Sequence, residues 1–288
     1  MKRTTVLTLS LVLLLGTAAT VLAQSQSTSS PPKVLVLVRE FIKPGKAGSA
    51  HLRTESMFVS AFAAAKWPQH YLAMDSLTGL PRSLFLVGYE SFAAWEKDNM
   101  ATQKNATLTA ALDRATLADG EMLTSSETSV FVYREDQSYQ ASVDIAHMRY
   151  FEISVFRIKP GRDADWDAIV KIYKEQYSKA NPDAHWAIYE SAYGNDNGGE
   201  MIVITPMKSL AEVDDGFAKG KKFMEAMGPE GMKKLYDTIA SGMGPSMSNL
   251  FQFNPKLSYP PDEWVKADPG FWKSGPPTAK KTEAKPAQ

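Results

Sequence analysis

Val34–Ile42 is apolar at nearly every position. In an extended chain Val34, Val36 and Val38 fall on one face, and Leu35, Leu37 and Phe41 on the other. A strand apolar on both faces is covered on both. Lys43-Pro44-Gly45-Lys46 breaks the run as a turn. Over residues 47–66 the apolar positions (Leu52, Phe58, Val59, Phe62) shift to helical spacing, and Pro68 closes the segment. Residues 70–77 and Arg82–Tyr89 read as two strands joined by the turn Thr78-Gly79-Leu80-Pro81. Helical sequence capped by Ser91 follows, interrupted, over residues 91–117, and residues 128–134 read as a closing strand. The order is β-α-β-β-α-β.

The same order recurs. Phe41-Ile42-Lys43-Pro44-Gly45-Lys46 is matched by Arg157-Ile158-Lys159-Pro160-Gly161-Arg162, and His70-Tyr71 by His185-Trp186. Ser91-Phe92-Ala93 is matched by Ser209-Leu210-Ala211. Residues 131–139 are matched by 251–259, both ending in Ser-Tyr. Four matches in one order, 115 to 120 residues apart, mark an internal duplication. In the second copy the strands are 149–158, 184–192, 200–206 and 248–253. One amphipathic helix covers 163–179, and helical sequence over 209–241 breaks at Gly228-Pro229.

Two such units predict an α+β fold: two tandem ferredoxin-like domains, residues 33–140 and 147–260, packing sheet to sheet as an intrachain α+β barrel. On these motifs residues 33–139 and 147–259 resemble the dimeric α+β barrel superfamily in a tandem form. The Ile-Lys-Pro-Gly turn is similar to that of NIPSNAP-like and antibiotic-biosynthesis-monooxygenase-like domains. The resemblance implies topology. Its members include cofactor-free oxygenases, haem enzymes, isomerases and proteins without known activity, so it does not by itself select a reaction.

The ends read differently. Residues 1–23 have Lys2 and Arg3 before a short apolar run, and Val21 and Ala23 at the −3 and −1 places of a cleavage site, as in a secretory signal. Residues 24–32 form a Ser-rich linker, and residues 266–288, rich in Pro, Lys and Ala, a flexible tail. The expected product is exported, periplasmic or extracellular, without stable membrane insertion. The 288 residues balance 32 Lys+Arg against 32 Asp+Glu, which supplies no field for nucleic acid. The absence of Cys excludes disulfides, thiolate metal sites and a Cys nucleophile. A tandem chain can cover its own sheets, so a monomer is expected, with a homodimer as the alternative.

Candidate chemistry gathers at few positions. His70 and His185 hold matching places before matching strands, suited to a ligand-binding pair or to a repeated structural hydrogen bond. With Tyr71 and Trp186 they are the candidate ligand-binding residues. Glu152, Ser154 and Phe156 share one strand face; His185, Ala187, Tyr189 and Ser191 share another. If both faces line the barrel, Glu152, His185 and Tyr189 are candidate catalytic groups in an apolar cavity. His51 and Glu55 share a helix face as an expected exposed pair; no metal site and no cofactor are expected. Asp163-Ala164-Asp165 reads as a helix start, and Trp67, Trp95, Trp166 and Trp186 as packing anchors. Met224, Met227, Met232, Met243 and Met247 can fill a core or line an adaptable pocket. The functional expectation is a small apolar or aromatic ligand in the barrel. The alternatives are a cofactor-independent monooxygenase-like enzyme, or a haem protein using His70 or His185 as axial ligand.

Overall fold

The strands are β1 (Val34–Ile42), β2 (Tyr71–Ser76), β3 (Arg82–Tyr89), β4 (Leu123–Tyr133), β5 (Tyr150–Arg157), β6 (Ala187–Tyr193), β7 (Glu200–Met207) and β8 (Met247–Phe253). Between them lie α1 (Ser49–Ala65), α2 (Phe92–Lys104), α3 (Ala106–Gly120), α4 (Asp163–Ala180) and α5 (Ala211–Gly242); α6 (Asp262–Ala267) and α7 (Pro269–Trp272) follow. The computed structural model describes residues 29–181, 183–195 and 199–273. The expected secretory signal, residues 1–23, lies outside these residues. Among them no helix is long and apolar enough to cross a membrane.

Local chemistry sets the boundaries. The Ser91 side chain accepts from the Ala94 amide at the start of α2, and Asn105 does the same for α3 through Leu108. Gly45 and Gly161 occupy the same place in the repeated turn at φ 77° and 76°, a region that favours glycine. α5 kinks at Gly228, just before Pro229.

All eight strands are antiparallel and close in the order β1-β3-β2-β8-β5-β7-β6-β4. The first half therefore runs β4-β1-β3-β2, and the second runs β8-β5-β7-β6. Two separate sheets stacked face to face are not what forms. Their edges pair, Met74 opposite Phe253 and Tyr133 opposite Tyr189. Pairing satisfies the backbone groups that a free edge would leave open. At the second seam Gly194, at φ 81°, approaches the Thr128 carbonyl so closely that a Cβ would lie 2.2 Å from its oxygen.

Alternate residues fill the interior. Leu35, Leu37, Met74, Phe131, Ile153 and Phe251 belong to one buried cluster drawn from both halves. Burying each such side chain contributes about 1.5–3 kcal/mol. Val34 and Val36 point the other way, packing with Tyr89, Val130 and Trp95. Both faces of β1 are covered, as its sequence requires.

Each half latches the other. After β4, the Ser138 hydroxyl accepts from the Ile188 amide on β6 at 2.9 Å; after β8, the Ser258 hydroxyl accepts from the Ala73 amide on β2 at 2.9 Å. Tyr139 then bridges Trp186, and Tyr259 bridges Tyr71. The repeated Ser-Tyr endings are these latches.

The tail needs correction. Residues 266–273 are ordered into the fold by aromatic side chains. Trp272, 3% exposed, joins the barrel core and donates its indole N–H to the Ala146 carbonyl at 2.8 Å. Arg149 pairs with Asp268 across the same end. Residues 274–288 lie outside the described part. At the other terminus Ser29 bridges Val143, so the end of the expected linker also packs on the barrel.

Candidate functional site: two unequal sheet–helix layers

Three places hold chemistry: the barrel interior and the two layers between the outer sheet faces and the helices. The interior is filled by side chains. At one end a cavity of about 260 Å³ remains, reached by His70, Leu35, Tyr189 and Trp264. That is close to the ~300 Å³ at which small-molecule sites begin, and smaller than the cavity on the outer face of the second-half sheet.

The large cavity lies outside the barrel, between β5–β8 and helices α4 and α5, and measures about 730 Å³. α4 places Trp166, Ile169, Val170, Tyr173 and Tyr177 toward it at helical spacing. Phe156 and Trp186 come from the sheet side. Burial pushes the Tyr177 hydroxyl up, and the nearby Glu152 carboxylate adds to the shift.

The three candidate catalytic residues do not share one site: Glu152 and His185 line the outer cavity, whereas Tyr189 faces the barrel. Glu152 lines this outer cavity and does not face the barrel. The parity of β5 places Phe151 and Ile153 inward, which sends Glu152, Ser154 and Phe156 outward beneath the helices. Tyr189 does face the barrel, against Tyr133 at 5.4 Å between rings, and burial raises its hydroxyl well above the usual range. His185 lines the outer cavity, but its Nε2 donates to the Pro206 carbonyl at 2.7 Å, and its Nδ1 lies 3.1 Å from the Asp183 carbonyl. This is the structural hydrogen bond at the strand entrance.

The matching histidine behaves differently. His70 stacks on Tyr259 at 4.6 Å, and its Nδ1 is buried without a hydrogen-bond partner. The neighbouring Tyr71 packs between Phe62 of α1 and Phe85 of β3. Neither histidine is set as a haem ligand: Nε2 of His185 is engaged, and the cavity beside His70 is small.

Beneath α1 and α3 the first-half layer holds a buried polar cluster. Glu40 comes from β1, His51 and Glu55 from α1, and Asp119 from α3; one ligating atom from each lies within 4.8 Å of all the others. His51 Nε2 is 3.4 Å from Glu40 Oε2 and 3.6 Å from Asp119 Oδ1. The expected exposed His51–Glu55 pair is thus overturned: the two are 2% and 3% exposed, because the face they share packs on the sheet and α3. Burial, then the Glu40 and Asp119 charges, push the Glu55 carboxyl up to about 10. The Thr54 hydroxyl donates to Asp119 at 2.6 Å. Glu40 and Asp119 carried no motif. The readable signals were Glu40, beside Arg39 in a mostly apolar strand, and the His51–Glu55 spacing.

No family model matches the sequence, and no curated protein does. Solved structures match across most of the chain. An anthrone oxidase-like protein is 16% identical with a TM-score of 0.50, the match covering 77% of this chain and 92% of that one. A Fusobacterium nucleatum protein provisionally described as a monooxygenase is 12% identical with a TM-score of 0.48, covering 78% and 94%. A mutant chlorite dismutase from Candidatus Nitrospira defluvii is 12% identical with a TM-score of 0.45, covering 85% and 99%. The first of these likenesses shows a shared α+β barrel fold, closed by eight antiparallel strands here.

Proposed function

We propose that this is an exported protein that binds a small aromatic molecule between the second-half sheet and helices α4 and α5. The observation that carries the reading is the cavity of about 730 Å³, walled by Trp166, Tyr173, Tyr177 and Trp186. Its size and aromatic walls match those of small-molecule sites, and flat rings stack on such walls. Trp166 and Trp186 are built-in reporters. Anthrone, taken from the name of a structural neighbour, is a suitable probe. Saturable quenching of tryptophan fluorescence by anthrone, weakened by Val203→Phe in the cavity floor, is the expected result. Quenching that is absent, or unchanged in Val203→Phe, overturns the reading.

A second reading uses the same cavity as a cofactor-independent oxygenase. Glu152 favours it: a carboxylate on the sheet floor, within reach of the Ser154 hydroxyl at 3.4 Å. Glu152 takes a proton from an acidic methylene. With dioxygen as oxidant the methylene becomes a carbonyl and one water leaves. A positioned base contributes about 10²–10⁴-fold, so Glu152→Gln lowers dioxygen uptake on anthrone by that factor while quenching persists. No uptake by the parent protein leaves the binding reading alone.

The matched latches and strand orders of the two halves support a tandem duplication, and the closed barrel supports a monomer, because it leaves no barrel edge for a second copy. Light scattering that finds only dimers would reject the monomer.

A further inference from the structure

We propose that Glu40, His51, Glu55 and Asp119 bind a divalent transition-metal ion that fastens α1 and α3 to β1. Imidazole nitrogen with carboxylate oxygen is a donor set that first-row metals such as Zn²⁺ and Mn²⁺ accept. Four protein side chains, three of them buried and Glu40 mostly so, describe a closed, structural site rather than a catalytic one with an open position. Metal–ligand distances of about 2.0–2.2 Å place tetrahedral ligands about 3.4 Å apart. The His51–Glu40 and His51–Asp119 separations of 3.4 and 3.6 Å already match that edge.

Two further observations point to a cation. Among the described residues, no Lys or Arg pairs with any of the three carboxylates; His51 is the ion-pair partner of Glu40 and of Asp119. Glu55 Oε1 and Asp119 Oδ2 are buried without a hydrogen-bond partner, and so is the Tyr71 hydroxyl, whose strongest charged neighbours are Glu55 and Glu40. Unpartnered buried oxygens from α1 and α3 thus converge on one place, where unpaired carboxylates are costly. Thr54, donating to Asp119, supplies the outer support that metal-binding carboxylates ordinarily have. A surface pocket of about 510 Å³ between the first turn of α1 and the Asp75–Arg82 hairpin reaches His51 at the edge of the cluster.

The test uses the whole protein, stripped with EDTA and then titrated separately with Zn²⁺ and Mn²⁺. One equivalent of metal retained through gel filtration is expected. With metal at 100-fold over Kd, the melting temperature rises by about 5–10 °C. Cobalt substitution gives visible d–d absorption. His51→Gln and Glu55→Gln lose the retained metal, the melting shift and the cobalt bands, while His147→Gln, on a separate turn, keeps all three. If the first two variants do not fold, Thr54→Val provides the second line, with affinity lowered about 10–100-fold in a folded protein. A folded, stripped protein whose melting is unchanged by saturating Zn²⁺ and Mn²⁺ overturns the proposal and leaves a proton shared among carboxyls. So does uptake that is equal in His51→Gln.

Discussion

The two halves share strand order, turn glycines and latches, yet their sheet–helix layers are built on opposite principles. In the first half the layer is closed. Ala61, Trp67 and Leu108 fill one part and four ionisable groups the other. In the second half α4 brings aromatic rings to the same level and leaves a cavity between them. One layer is packed shut, and the other keeps a cavity. Topology fixed where the layers lie, and the side chains facing inward from the helices decided what each became.

The largest expected difference comes from truncating core residues. Leu108→Ala in α3 removes a side chain 2% exposed in the closed layer and costs about 2–5 kcal/mol in urea unfolding. Ile169→Ala in α4 borders an existing void and costs less. Equal losses would break the contrast. Next come the latches. Ser138→Ala and Ser258→Ala each orphan a buried backbone amide, on Ile188 and Ala73, and cost about 1–3 kcal/mol. Here the halves should agree; costs differing severalfold would show that the latches are not equivalent. Overfilling gives a smaller contrast. Ala115→Leu, at a fully buried position, costs about 1–3 kcal/mol, while Val203→Phe grows into the open cavity and costs under about 1 kcal/mol.

The most gradual effect is on pH. Glu55 has a folded-state value pushed up to about 10 in the metal-free protein. A raised carboxyl favours folding only while protonated. Its contribution is complete below about 4.3, the unfolded value, and drains away as pH rises toward 10. Unfolding of EDTA-treated protein across this window should show falling stability, and Glu55→Gln should flatten that slope. A slope that survives the substitution places its origin elsewhere.

Much of the scaffold was legible because it rests on period and repetition. The two-sided apolarity of Val34–Ile42 announced a covered strand, and the repeated Ser-Tyr endings marked the segments that became latches. Facing was not legible. Alternation along β5 separates Glu152 from Ile153 but does not say which of them meets the barrel. The acid cluster was hidden for another reason. Its members come from β1, α1 and α3, and only tertiary packing brings Glu40 and Asp119 to the shared face of His51 and Glu55. In residues 266–273 the Pro and Lys content hides the packing of Phe271 and Trp272 on the barrel end.

Closure of the barrel also dictates an order of events. β2 finds its outer neighbour only in β8, and β4 only in β6. A ribosome that has finished the first half has therefore made a sheet with both margins bare. Nothing can cover the β2 margin until Phe253 and the Ser258 latch have emerged. Such distant pairings must bear the loop-closure entropy before any contact repays it, which makes folding slow. The chain is committed to completing itself late, from its own far end, and during that wait its exposed margins are where it is most open to aggregation.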